Sequence, residues 1–190
     1  MYLAAALVIA AVVFIVEKPE KPRIGDVAEK DFIANFDSSK IFGVKISQLI
    51  DGVVLKREGD VWQVSQLITP ARKELNEKEG GETELAAFQN ADKTRVMGAI
   101  NSFSGMGEGV LVSDNPEKQM TYQVGVAGIK VSFFGADEKP IEELIIGKNG
   151  PDFASSYVRR ANDNKVYLVR RTLTGFFSPR VDDWLEKNQK

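Results

Sequence analysis

The sequence predicts an α+β fold, with antiparallel β-meanders and helices packed on one face, preceded by one N-terminal transmembrane helix. Three observations predict it. Met1 to Val16 reads MYLAAALVIAAVVFIV, with no charge, glycine or proline, and then turns abruptly into EKPEKPR. Behind it, short runs rich in Val, Ile and aromatic residues alternate with polar residues and are divided by Gly, Asp and Asn turn signals, as antiparallel strands require. One segment departs from that period: Val96, Met97, Ile100 and Phe103 recur at helical spacing.

The apolar run comes first. At about 1.5 Å per residue it spans about 24 Å, against a hydrocarbon core of about 30 Å. Glu17 and Lys18 extend it by snorkelling, and Pro19 ends the helix at the residue before it. The chain therefore divides into an anchor over 1–18, a tether over 19–30 and a single extramembrane domain over 31–190. Leu3, Leu7, Val8, Ile9, Val12, Val13, Phe14 and Ile15 are the expected lipid-facing residues. Apolar character all round argues against a helix lying in the interface, which needs a polar face. A cleaved signal peptide would need a basic region before the run and a small-x-small site after it. Met1 is instead followed directly by Tyr2, and the run ends Phe14-Ile15-Val16. Ala6 and Ala10 form a small-xxx-small pair that offers a close contact to another helix, or is ordinary lipid-facing sequence. Lys18, Lys21 and Arg23 follow the run, so the positive-inside rule by itself would keep the domain on the cytoplasmic side.

Residues 41–66 read as a three-stranded meander. Ile41, Val44 and Ile46 open it, Asp51-Gly52 is a hairpin signal before Val53–Arg57, and Glu58-Gly59-Asp60 turns into Val61–Val64, where Trp62 and Val64 share a face. The charged stretch 70–90, interrupted by Gly80-Gly81, predicts a short exposed helix or loop. Asp92 caps a helix from Lys93 to about Ser104, which Gly105, Gly107 and Gly109 end. Strands then return at 110–112, 127–134 and 141–146, with a turn expected at Gly147–Pro151. A hairpin of 155–160 and 165–171 crosses Asn162-Asp163-Asn164, a short helix is expected around Leu173–Phe177, and 181–187 closes the chain.

Composition limits the chemistry. The chain has no histidine and no cysteine, which removes imidazole bases, His or thiolate metal ligands, Ser-His-Asp triads and disulfides. A net charge of −2 gives no basic field for nucleic acid. Gly105-x-Gly107-x-Gly109 follows a helix, whereas a dinucleotide fingerprint leaves a strand and opens a helix. Gly147-Lys148 lacks the rest of a phosphate loop. Glu142 and Glu143 are adjacent on a strand and point to opposite faces. Asp182-Asp183 and Asn162-Asp163-Asn164 supply too few oxygens for calcium. No catalytic, cofactor or metal residue is therefore assigned. One cluster stands out: Arg159, Arg160, Lys165, Arg170, Arg171 and Arg180 are a candidate surface for a partner or for anionic headgroups, against the alternative of an ordinary solvated hairpin.

Several pieces taken in order resemble the bacterial family called domain of unknown function 4340. They are the apolar run leading into Glu17-Lys18-Pro19, the stretch Leu55-Lys56-Arg57-Glu58-Gly59-Asp60-Val61-Trp62, and the helix start Ala91-Asp92. Tyr122-Gln123-Val124, Leu144-Ile145-Ile146-Gly147, Tyr157-Val158-Arg159 and Val166-Tyr167-Leu168-Val169 follow. Gln123 stands where the family usually has glycine, and Pro70 leads into a charged insert rather than directly to the helix. The resemblance implies a single-pass protein of the bacterial inner membrane whose domain faces the periplasm, opposite to the flanking-charge reading, and whose relatives accompany ABC-type export systems. The expected function is a non-catalytic accessory domain that binds an integral membrane protein complex, with no cofactor and no nucleic acid partner. The alternatives are a structural subunit of a stable respiratory or photosynthetic complex and, lower, a hydrolase working through carboxylates alone.

Overall fold

Among the described residues, ten strands join edge to edge in one sheet, and every neighbouring pair is antiparallel. The computed structural model describes residues 28–29, 32–33, 36–81, 86–104, 106 and 108–186. The strands are β1 (Ala28–Glu29), β2 (Gly43–Gln48), β3 (Asp51–Glu58), β4 (Val61–Gln66), β5 (Gln89–Asn90), β6 (Gly109–Ser113), β7 (Ile129–Phe134), β8 (Pro140–Asn149), β9 (Ser156–Arg160) and β10 (Val166–Val169). Their order is β1-β6-β10-β9-β8-β7-β2-β3-β4-β5. The two meanders thus run outward from a central pair, β2 with β7, in register from Gly43↔Phe134 to Ser47↔Lys130.

Alternation along the strands sorts the sheet into two faces. One carries Val44, Ile46, Val53, Leu55, Trp62, Val64, Val131, Phe133, Leu144, Ile146, Val158 and Tyr167, all buried. Helix α2 (Lys93–Asn101) supplies Val96, Ala99 and Ile100 to the same core. It starts where Asp92 accepts a hydrogen bond from the Arg95 amide at 3.1 Å, the N-cap expected for that residue. Phe103 stands at the centre of an aromatic group, 5.0 Å from Phe133, 5.1 Å from Phe177 and 5.9 Å from Phe36 between ring centres. Each such pair adds about 0.5–1.5 kcal/mol beyond the area it buries. Trp62 and Trp184 are also fully buried.

The helices do not all share that face. Helix α1 (Pro70–Glu79) buries none of its residues. Its sequence has no apolar stripe to dock, so capping defines it instead: Thr69 at its start, Pro70 at N1 and Gly80 at φ 73° at its end. Helix α3 (Gln119–Tyr122) lies on the opposite face. There Tyr122 stacks on Tyr157 at 4.6 Å, and Arg159 holds the Val124 carbonyl. The segment 115–128 therefore covers the β8–β10 half of the second face; Ser65 on β4 is buried and donates to the Ala86 carbonyl, and the strip from Lys45 to Lys56 stays open.

Three local expectations also change. Asp51-Gly52 begins β3, and the hairpin turn is Leu49–Ile50, because Gln48 pairs with Asp51. Gly147, Lys148 and Asn149 continue β8, and the turn comes after them. A Cβ at Gly147 would strike the Tyr122 carbonyl and lie 2.7 Å from Val124. That glycine therefore serves the close approach of segment 115–128 rather than a bend. Leu173–Phe177 is a single hydrogen-bonded turn, Phe176 N–H to the Leu173 carbonyl at 3.0 Å, not a helix. Among the described residues, no helix is long and apolar enough to cross a membrane. The expected anchor, Leu3 to Ile15 with Ala6 and Ala10, lies outside those residues, as does most of the tether.

Candidate functional site

The open strip of the second face holds a groove of about 300 Å³ where β2, β3 and β7 reach the same end of the sheet. Gly43 and Val54 line its floor, and Phe42 and Phe134 flank it. Three cations and Glu138 line this strip: Lys45 and Lys56 stand on the same face, and Arg57, in register with Trp62, reaches the sheet end from the core face. Lys45 Nζ sits 4.8 Å from the Phe134 ring centre and the Arg57 guanidinium 5.3 Å from that of Phe42. Lys56 is the third, and its Nζ bonds Glu58 at 3.0 Å. Arg57 donates to the Gly59 carbonyl at 2.9 Å and lies 3.7 Å from Asp60. Cations held over aromatic faces beside an open strip suit an anionic group carried on an apolar body.

One hydroxyl and one carboxylate continue along the same face. Ser132 donates to Glu143 at 2.7 Å and Lys130 lies 3.3 Å from it. The serine bond first, then Lys130 and Lys45, hold the Glu143 carboxyl below its ordinary range. Glu142 points the other way, 3.6 Å from Arg160, and burial raises its pKa despite that arginine. The two carboxylates are thus split between faces, as strand alternation required. Among the described residues, no group of three or more carboxylates gathers as a metal site would require.

The six basic residues of the C-terminal hairpin do not form one surface. Arg159 is buried, and its four hydrogen bonds all go to backbone carbonyls: Val124 at 3.1 Å, Arg160 at 3.1 Å, Ala161 at 3.2 Å and Asp163 at 2.8 Å. Arg160 lies on the other face, over the Phe32 ring and bonded to the Phe32 carbonyl. Arg171 caps the C-terminal end of α2 by donating to the Ser102 carbonyl at 2.6 Å. Arg180 pairs with Asp183 at 3.0 Å. Lys165 and Arg170 are exposed, but at opposite ends of β10. Spacing alone could separate Arg159 from Arg160. It could not show that four of the six are used within the fold.

Sequence reasoning missed the groove, because it depends on β2 pairing with β7 across a long separation. The signal within reach was Phe42-x-x-Lys45 opposite Lys56-Arg57, which a correctly placed hairpin brings together. A profile for the Domain of unknown function (DUF4340) matches residues 82–189, from before β5 through the C-terminal turn. Neither a curated protein nor a solved structure matches the chain. The match covers more than half of the chain and includes the motifs at Ala91, Tyr122, Leu144, Tyr157 and Val166, so the chain belongs to the family described as Domain of unknown function (DUF4340).

Proposed function

We propose that this chain is a non-catalytic accessory domain, held at the bacterial inner membrane by its N-terminal segment and facing the periplasm, that binds a partner membrane protein complex. The observation that carries this reading is the uncharged run Met1–Val16 followed at once by a charged, proline-containing tether. An uncharged run of this length suits the hydrocarbon core of a bilayer. The groove flanked by Phe42 and Phe134 supports the second half of the reading. Its lysines and arginine fit an acidic segment of the partner's extramembrane part that also presents an apolar side chain. The family resemblance favours an ABC-type transport system as the partner class.

Extraction of the full chain in a mild detergent tests this. The expected result is a discrete assembly larger than the chain, containing an integral membrane protein, that Lys45→Glu weakens. Migration as a free monomer under every mild extraction would contradict it.

A further inference from the structure

At the end of the sheet away from the groove, three connections and a fourth turn beside them expose large apolar side chains. Leu49 and Ile50 form the β2–β3 turn, Val126 precedes β7, Phe153 lies in the β8–β9 turn, and Phe176 is in the turn after β10. They are brought to one end by the register. Ser47 pairs with Lys130, Ile129 with Ile146 and Asn149 with Ser156, so the hairpin, the start of β7 and the β8–β9 turn all project the same way. Cross-links fix the arrangement. Gln48 donates to the Ala127 carbonyl at 2.9 Å, Thr172 to the Phe153 carbonyl at 2.9 Å and Thr174 to Asn149 at 3.1 Å. Leu49 is 61% exposed, Val126 86% and Phe153 79%.

Two of these residues carry a second peculiarity. Leu49 has φ 53° and Phe153 has φ 56°. Bulky side chains avoid that region, and turns needing it normally use glycine or asparagine. A leucine and a phenylalanine held there and largely exposed are unfavourable for the domain in water by both backbone and side chain. Neither contributes to the core, so the fold gives no reason for them.

We infer that these tips form a rim that dips into the headgroup layer of the bilayer holding the N-terminal run, a reading that rests on the membrane anchoring proposed above. Lys148 and Arg170, exposed at the same end, suit anionic headgroups. Asp152, the acid beside Phe153, is engaged by Ser155 and the Ala154 amide. Asp51, at the β2–β3 turn, is paired with Arg72. Between Lys18 and Ala28 the chain has enough residues to extend about 33–36 Å. The longest strand, β8, runs Pro140–Asn149 and spans about 33 Å, so the tether can reach from the bilayer to either end of the domain.

The native tryptophans make the test direct, since Trp62 and Trp184 are 1% and 0% exposed and serve as a fixed background. The full chain carrying Phe153→Trp is reconstituted into vesicles of phosphatidylethanolamine and phosphatidylglycerol with brominated acyl chains. Val61→Trp, at the opposite end of the sheet, is the paired control. The expected result is a blue-shifted Phe153→Trp emission roughly halved by the bromines, as for a side chain at the headgroup–acyl boundary, with Val61→Trp unquenched. Phe153→Trp unquenched in a chain that stays with the vesicles overturns the rim alone and leaves its tips to a protein partner. Both positions quenched equally also overturns it. A chain that leaves the vesicles overturns the anchoring, and the rim with it.

Discussion

Replacing Arg159 with methionine should cost the domain about 3 kcal/mol. Its Nε reaches the Val124 carbonyl, and one terminal nitrogen is shared among the carbonyls of Arg160, Ala161 and Asp163. The shared nitrogen counts as about one full bond. A hydrogen bond from a charged donor is worth about 1.5–3 kcal/mol net, so two such bonds give about 3–6 kcal/mol. The carbonyls of the β9–β10 turn lie near solvent and regain water, which places the expectation at the lower end. Methionine keeps the apolar stem, so little packing is lost. About 3 kcal/mol is a large share of a typical domain's 5–15 kcal/mol. Urea unfolding of the detergent-solubilised chain, followed by the emission of the two buried tryptophans, measures the loss. Arg170→Met, at an exposed position, should stay within about 0.5 kcal/mol of the parent. Arg159→Lys should recover less than half, because an ammonium cannot span both the Val124 and Asp163 carbonyls as the guanidinium fork does. A loss below about 1 kcal/mol for Arg159→Met would refute the view that this arginine pins segment 115–128 to the sheet.

Two further outcomes follow from backbone geometry and charge. Gln123 has φ 57° at the end of α3, a conformation glycine adopts without steric cost, and Gln123→Gly should stabilise the domain by about 0.5–1 kcal/mol in the same unfolding assay. Acid should destabilise the fold through Glu143 and Asp183, held low chiefly by the hydroxyls of Ser132 and Ser178. Their folded pKa values lie below the ordinary 4.5 and 3.8, so their stabilisation is present above those values and is lost as pH falls through the lowered ones. Glu142 works in the opposite sense, because burial raises its pKa: its contribution is present below 4.5 and fades as pH rises through the raised value. Ser132→Ala with Ser178→Ala should flatten the acid limb of a stability–pH curve between about pH 5 and pH 3, and an unchanged limb would remove these two carboxylates as its cause.

Strand alternation and helical spacing made the two meanders, the α2 stripe and the opposed Glu142 and Glu143 legible in the sequence, because each depends on residues close along the chain. The joining of the meanders did not follow from sequence. It rests on Gly43–Ser47 finding Lys130–Phe134, and the outward faces of those strands carry few residues that specify a partner. Turn chemistry misled twice, once at Asp51-Gly52 and once at Gly147. In the first, leucine and isoleucine occupy the turn itself. In the second, the glycine answers a neighbouring segment rather than a bend. The basic hairpin misled differently. Alternation gave the faces of Arg159 and Arg160 correctly, but backbone carbonyls as partners leave no mark in the sequence. The groove inherits the same obscurity, since Phe42, Lys45, Arg57 and Phe134 meet only after both pairings form.

The proposal depends most on the bilayer. Alkaline carbonate extraction of membranes containing the full chain, followed by protease treatment of intact spheroplasts, tests it most directly. The account predicts that the chain stays in the membrane pellet and that the domain is cut from the periplasmic side. Release of the chain into the supernatant at high pH would contradict the anchor, and a domain protected until the inner membrane is broken would contradict its orientation.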